Sequence, residues 1–341
     1  MTEAKNHRWL LARRPQGELS PEDFRWVEEP LPAITEGELL VKNLYLSCDP
    51  TQRGWIAGDT YLPAVKIGDP VRSFAVAQVV DSKNPKWKQG DLVQGLFGWQ
   101  EYAVAAPGTE SNPGNLPRGV PIETAMSALG LTGITAYFGL LEIGRPQPGE
   151  TVVVSGAAGA TGSAVGQIAK LKGCRAIGIA GGPEKCRYLV TELGFDAAID
   201  YKTENVGKRL KELCPKGIDV FFDNVGGELL DAALARLALR GRVVLCGAIA
   251  RYNDQAPSAG PKYLGNLIIQ RGRMEGFIVL DFMPRAGEAI GALAGWMKDG
   301  RLKDRIDVQH GLENAPKTLL RLFKGENQGK QLLKLAEPSP A

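Results

Sequence analysis

Residues 152–166 read Val152-Val153-Val154-Ser155-Gly156-Ala157-Ala158-Gly159-Ala160-Thr161-Gly162-Ser163-Ala164-Val165-Gly166. An apolar run of strand length passes into glycines and small residues, after which Val165, Ile168 and Ala169 fall on one face at helical spacing. Strand, glycine-rich turn and helix in that order let bare backbone approach a pyrophosphate, with unpaired N–H groups and the positive end of a helix dipole beside it. A glycine-rich turn alone is weak evidence; placed between strand and helix inside a βαβ unit, it points to a dinucleotide.

Outward from that turn, a helix is expected from Gly159 to Lys172, a strand from Arg175 to Ala180 and a helix from Pro183 to Leu193. Strands follow at Ile218 to Asp223, Arg242 to Cys246 and Glu275 to Leu280, with a helical pattern at Leu229 to Leu239. This alternation predicts an α/β fold with a doubly wound parallel sheet. Upstream, from Phe24 to Ala105, short β-prone runs such as Leu39 to Leu46, Val71 to Val80 and Asp91 to Leu96 are separated by Gly, Pro and Asp, which reads as a small antiparallel β-domain. The tail from about Arg285 holds two amphipathic stretches and a short strand candidate at Lys330 to Leu335.

The second βαβ strand ends in Ala180-Gly181-Gly182, without the Asp or Glu that commonly holds a ribose 2′-hydroxyl. Lys185 follows within one turn of a helix that Pro183 starts. This pattern favours a 2′-phosphate, hence NADP(H), with Lys185 as its partner; a solvated surface lysine is the alternative. Other positions at strand carboxyl ends, where open α/β sheets bind ligands, are Asn224, the run Cys246-Gly247-Ala248, and Phe277-Ile278-Val279, which is assigned to the last strand. Asn224 could also be only a turn residue before Gly226-Gly227. Cys246 reads more readily as a small buried side chain than as a nucleophile.

Composition narrows the chemistry. The 341 residues suit about two domains, and a net charge of +3 argues against nucleic acid or an anionic membrane as partner. The first residues lack a secretory apolar stretch, and Met126 to Leu141, the most apolar segment, is too short and too rich in glycine to span a bilayer. A soluble cytoplasmic protein is expected. Five scattered cysteines without a CxxC pair fit neither a disulfide framework nor a thiolate zinc site, and two histidines leave little for a zinc hydrolase or a Ser/His triad. None of the eight tyrosines has a lysine four residues later, so an alkoxide-forming Tyr/Lys pair is not visible either. Reduction of a carbon–carbon double bond conjugated to a carbonyl asks for less: one donor at the oxygen, and water for the proton.

Several motifs together resemble a known family. They are Cys48-Asp49-Pro50-Thr51-Gln52-Arg53-Gly54, Leu131-Thr132-Gly133-Ile134-Thr135-Ala136-Tyr137, the glycine-rich turn through Lys170, Phe222-Asp223-Asn224-Val225-Gly226-Gly227, Cys246-Gly247-Ala248-Ile249 and Gly325-Glu326-Asn327-Gln328-Gly329-Lys330. The chain is similar over nearly its whole length to the zinc-independent medium-chain dehydrogenase/reductases, within them the prostaglandin reductase and alkenal double-bond reductase group. The resemblance implies a GroES-like β-domain over 1–125, a Rossmann NADP-binding domain over 126–295, and a segment over 296–341 that returns to the first. It implies NADP(H) contacts at Gly159, Ala160, Thr161, Gly162, Lys185, Tyr201, Asn224, Cys246, Gly247, Ala248, Ile249, Tyr252, Phe277, Ile278, Val279 and Asn327, and it places Tyr252 near the substrate carbonyl. No metal is expected.

Many members of the group carry Tyr-Met where this chain has Thr51-Gln52, so a pocket tyrosine is expected to be absent. The activity implied is NADPH-dependent reduction of α,β-unsaturated ketones or aldehydes, with quinone reduction as the alternative and a non-catalytic NADPH sensor as a third reading. A homodimer joined through the strand at Glu275 to Leu280 is expected from the same resemblance.

Overall fold

In the amino-terminal part of the chain, one strand organises the rest. Leu39–Ser47 is buried along almost its whole length and pairs antiparallel with Phe74–Ser82 on one side, with Tyr102–Ala105 and with Leu332 to Lys334. Burial on both faces explains its nearly unbroken apolar sequence. The computed structural model describes residues 5–116, 119–256 and 259–339. Its contacts divide the chain into two units: one runs to Ala125 and takes in Asp307–Asn327 and the segment from Gln331, and the other is Met126–Ile306 with Gln328–Lys330.

The first unit is the GroES-like one. Its core collects Trp87, Phe97, Trp99, Ile56 and Leu333, so the last strand of the chain completes a sheet begun by the first hundred residues. A hairpin of Lys5–Leu11 with Phe24–Pro30 lies outside that sheet; its charged, non-alternating sequence does not read as strand. Gln52 is buried, donates from Nε2 to the Arg72 carbonyl at 2.9 Å and accepts from the Asp49 N–H at 2.8 Å, and so braces its loop. At the neighbouring position, Thr51 Oγ1 lies 2.8 Å from the Tyr61 hydroxyl. A tyrosine ten residues downstream therefore reaches position 51.

The second unit is the Rossmann one. Numbered from its glycine-rich turn, its elements are β1 (Thr151–Ser155), α1 (Ala160–Leu171), β2 (Arg175–Ala180), α2 (Pro183–Thr191), β3 (Ala197–Asp200), α3 (Val206–Leu213), β4 (Ile218–Asp223), α4 (Gly227–Leu234), β5 (Leu237–Leu245), α5 (Asn266–Ile269), β6 (Arg273–Gly276) and α6 (Ala286–Lys298). Among the described residues the strands form one parallel sheet in the order β3-β2-β1-β4-β5-β6, a sequence that reverses direction between β1 and β4. That reversal leaves loops diverging to both sides at the carboxyl ends of β1 and β4, which is where such sheets bind ligands. Val152, Val153, Val154, Phe221 and Phe222 in the two central strands are fully buried.

Two expectations are corrected here. The last strand is Arg273–Gly276, not Glu275 to Leu280, and Phe277-Ile278-Val279 leaves the sheet, with Val279 opening a 3₁₀ stretch to Arg285. The cause is packing: Phe277 is seated against Gly139 and edge-on to Phe222 (centroids 6.4 Å), which pulls the chain away from β5. The second concerns residues 296–306, expected to return with the tail, which stay with the second unit. Gln167 on α1, itself buried, both donates to and accepts from the Lys303 backbone (3.0 and 2.7 Å), and Ser127 Oγ donates to Asp304 at 2.8 Å. Gly329 rejoins the same unit by donating its N–H to the Ala158 carbonyl at 3.2 Å. Among the described residues no helix is long and apolar enough to cross a membrane.

Candidate active site

The central strands β1 and β4 end in polar residues, Ser155 and Asp223, both with no exposed surface. Ser155 Oγ donates to Asp223 Oδ1 at 2.7 Å, and the N–H groups of Val225 and Gly226 donate to the same oxygen at 3.0 Å. Asn224 completes the junction, its backbone N–H donating to Ser155 Oγ (2.8 Å) and its Nδ2 to the Ser155 carbonyl (2.7 Å). The loop after β5 is tied to the same point: the N–H groups of Cys246 and Gly247 donate to the Asp223 carbonyl at 2.9 and 3.1 Å. One buried residue, Asp223, thus ties three strand ends together, β1 and its own loop through the carboxyl and the loop after β5 through the backbone carbonyl. Asp223 Oδ2 is buried without a partner among the described residues, and burial raises the pKa of this group against the opposing effect of its donors.

After β5 a 3₁₀ turn, Ile249–Arg251, reverses the chain and brings Tyr252 back over Gly247. The Tyr252 hydroxyl accepts from the Ala248 N–H at 3.2 Å. Cys246 lies half-buried in the same loop; burial, then the charge of Asp223, pushes its thiol up to about 12, against a nucleophilic role. Cys246, Gly247, Ala248, Tyr252, Phe277 and Ile278 share one cavity of about 740 Å³ with Asp223 and Gly226. That volume lies within the roughly 300–1,000 Å³ of small-molecule pockets.

The remaining sequence-predicted positions lie outside this cavity lining. Gly159, Ala160, Thr161 and Gly162 cap and open α1, whose first-turn N–H groups have no partner within the helix. Gly162 is obligatory there, because a Cβ would stand 2.4 Å from the Gly156 carbonyl oxygen. Ile249 begins the turn before Tyr252, and Val279 begins the 3₁₀ stretch after Phe277 and Ile278. Lys185 lies in the first turn of α2, half-buried. Tyr201, after β3, covers Gly181 so closely that a Cβ would meet its ring and hydroxyl at 2.9 Å. Asn327 is assigned to the first unit, next in the chain to Gln328, which donates to Glu184 at 3.0 Å.

Three further residues shape the site. Ser155 and Asp223 stand in quoted motifs, where a polar residue ending a buried strand is itself a signal. The third is Asp200 at the end of β3. The second strand ends without an acid, but Asp200 supplies one from the neighbouring strand: burial alone would raise its pKa, and hydrogen bonds from the Gly182 and Lys202 N–H groups and the Thr203 hydroxyl outweigh this and hold it below the ordinary value. Those donors occupy the carboxylate in bracing the loop around Gly182.

Comparison with known proteins agrees with this architecture. The family description "N-terminal domain of oxidoreductase" matches residues 7–112, and "zinc-binding dehydrogenase" matches residues 160–294. The chain is 39% identical to the NADPH-dependent curcumin reductase of Escherichia coli, covering 97% of each chain. It is 42% identical to the NADP(+)-dependent 2-alkenal reductase of Nicotiana tabacum, covering 88% of each. The chain belongs to the zinc-independent medium-chain dehydrogenase/reductases. Within this family, the crystal structure of CurA from Vibrio vulnificus in complex with NADPH superimposes with a TM-score of 0.91 at 38% identity, covering 98% of this chain and 100% of that one. Among the described residues of this family member, no three His, Cys, Asp or Glu side chains gather into a group that could hold a metal.

The raised pKa of Asp223 has a testable sign. A carboxyl that protonates more readily folded than unfolded weakens the fold as pH climbs from its ordinary pKa of about 4 through its raised one. Asp223→Asn keeps the acceptor for Ser155 and removes this loss, so its melting temperature relative to wild type should rise as pH climbs above about 4. A difference independent of pH would show that the donors hold Asp223 as a carboxylate throughout.

Proposed function

We propose that the protein is an NADPH-dependent reductase of the carbon–carbon double bond of α,β-unsaturated ketones and aldehydes. The observation that carries this reading is the Tyr252 hydroxyl poised over the Cys246–Ala248 loop, in a cavity bounded by Phe277 and Ile278. The glycine-rich turn packs so closely on the start of α1 that a Cβ at Gly162 would clash with the Gly156 carbonyl, and a turn of this kind fits a pyrophosphate. Gly159, Ala160, Thr161 and Gly162 hold it with backbone N–H groups; Lys185 and Tyr201 take the 2′-phosphate; Asn224, Cys246, Gly247, Ala248, Ile249, Phe277, Ile278, Val279 and Asn327 serve the rest of the cofactor. NADPH, when bound, supplies a hydride to the β-carbon of the enone.

The protein's own task is the negative charge that gathers on the carbonyl oxygen. Tyr252 donates to that oxygen, and because its hydroxyl already accepts from the Ala248 N–H, its donor strength increases. The bond strengthens as charge develops, so it lowers the barrier instead of only tightening binding. The α-carbon takes its proton from solvent. Quinone reduction is the competing reading.

For the oligomer we propose a homodimer through β6, which among the described residues ends the sheet with one edge unpaired and is preceded in the chain by exposed Tyr263, Leu264, Ile268 and Ile269. Ile268 is 81% exposed, unusual for an isoleucine unless another surface covers it. Light scattering at micromolar concentration should give twice the chain mass; a monomer would defeat this assignment.

NADPH oxidation measured against enones, enals and quinones should be fastest with enones or enals; a preference for quinones would favour the competing reading. Lys185→Glu should raise the KM for NADPH more than about tenfold, since losing a charge-assisted contact and gaining repulsion exceeds roughly 1.4 kcal/mol. An unchanged KM would remove Lys185 from the cofactor site. Tyr252→Phe should lower kcat about tenfold to a hundredfold with NADPH binding intact, less than the roughly 2.7–4 kcal/mol of a sole oxyanion donor, because a cofactor hydroxyl can reach the same oxygen. A wild-type kcat would make Tyr252 a packing residue.

A further inference from the structure

Five arginines, Arg145, Arg240, Arg242, Arg271 and Arg273, line one open hollow of about 500 Å³ in the second unit. Arg145 ends the π-helical turn Gly139–Gly144, Arg240 lies at the irregularity inside β5, Arg271 follows α5, and Arg242 on β5 is paired in register with Arg273 at the start of β6. The hollow is thus at the amino ends of the paired strands, the opposite edge of the sheet from the loops of the candidate active site.

The backbone at three of these positions is unusual. Arg145, Arg240 and Arg271 have φ of 48°, 61° and 50°, and among the described residues they are the only non-glycine residues with positive φ. A side chain with a Cβ is disfavoured in this left-handed region, and such strain concentrates where a ligand is held. The charges are also gathered without full compensation. Arg242 is paired with Glu150 and braced by the Gly144 and Arg145 carbonyls, and Arg273 donates to the Ile143 carbonyl with Glu275 at 3.8 Å. Arg145, Arg240 and Arg271 are exposed and form no ion pair among the described residues. Three exposed guanidinium groups therefore line one concavity, Arg145 donating to the Glu142 carbonyl at 2.7 Å and Arg271 to the Ile269 carbonyl at 3.5 Å, around two that are fixed in place.

We propose that this hollow binds the phosphate or pyrophosphate group of a small molecule, at a site independent of the nicotinamide cofactor. Planar guanidinium forks grip phosphate oxygens two at a time, and a concave site of this volume suits a compact anion. Because the site plays no part in the reductase chemistry, it stands or falls separately from that reading.

The test uses the full chain with NADPH saturating, so that the cofactor site is already filled. Inorganic pyrophosphate is titrated by calorimetry and by thermal unfolding against sodium chloride of matched ionic strength. Pyrophosphate should raise the melting temperature beyond the salt control, and Arg240→Gly with Arg271→Gly should weaken its binding at least about tenfold. Glycine accepts positive φ, so this variant should fold at no lower temperature than wild type in the absence of anion and should keep the reductase kcat. Lysine at both positions keeps the charge but not the fork and should fall between the two. The proposal is overturned if chloride matches pyrophosphate, if the glycine variant binds as wild type does, if hexaglutamate binds more tightly than pyrophosphate, or if the variant changes only the oligomeric state.

Discussion

The hydrogen bond from Ser155 to Asp223, at the carboxyl ends of the two central parallel strands, is the interaction on which the candidate active site depends. Parallel strands align their backbones but leave the loops beyond them free to diverge. A carboxyl with no exposed surface, taking one hydroxyl and two backbone N–H groups on a single oxygen, removes that freedom. Asn224 and the Cys246 loop are then tied to the same residue through its neighbours and its carbonyl. Burying such a group is costly unless it is hydrogen-bonded, and here the cost is offset on one oxygen only. The return is a rigid platform beneath the place where charge must be met.

From that platform the chemistry divides along the sheet edge. The glycine-rich turn presents backbone, and the constraint there is the absence of side chains: Gly162 lies against the Gly156 carbonyl and Gly181 under Tyr201. The Cys246 loop presents a tyrosine hydroxyl in a cavity that Phe277 also lines, with a thiol that burial pushes up to about 12. Nothing in this arrangement calls for a covalent intermediate on the protein. It suits a reaction whose demands are orientation, exclusion of water and one donor at an oxygen.

The sheet carries charge of different kinds at its two edges. At the carboxyl edge positive potential comes from helix amino termini and their N–H groups, which are fixed by the fold, with Lys185 in the first turn of α2 adding a side-chain charge. At the amino edge it comes from arginine side chains held together by three left-handed turns, an arrangement that depends on side-chain identity at each position.

The sequence alone determined the order of elements and the family. Apolar runs of strand length, the glycine-rich turn and the helical spacing after it are local properties, legible without knowing what packs against them. The missing acid after Ala180, the Lys185 that follows, and the placing of Asn224 and Cys246 just after strands are local features of the same kind, whereas the role expected of Tyr252 came from the family resemblance. Tertiary structure decided where the last strand stops, because Phe277 leaves β5 to pack on Gly139 and Phe222, contacts more than fifty residues distant in the chain. It decided that Gln52 is a brace and that Tyr61 reaches Thr51. It also decided that Asp200 and Asp223 face the loops of the site, and that five arginines spread over 129 positions meet in one hollow. Pairings of this kind depend on sheet order, and sheet order is set by burial summed over whole strands, which no short stretch of sequence contains.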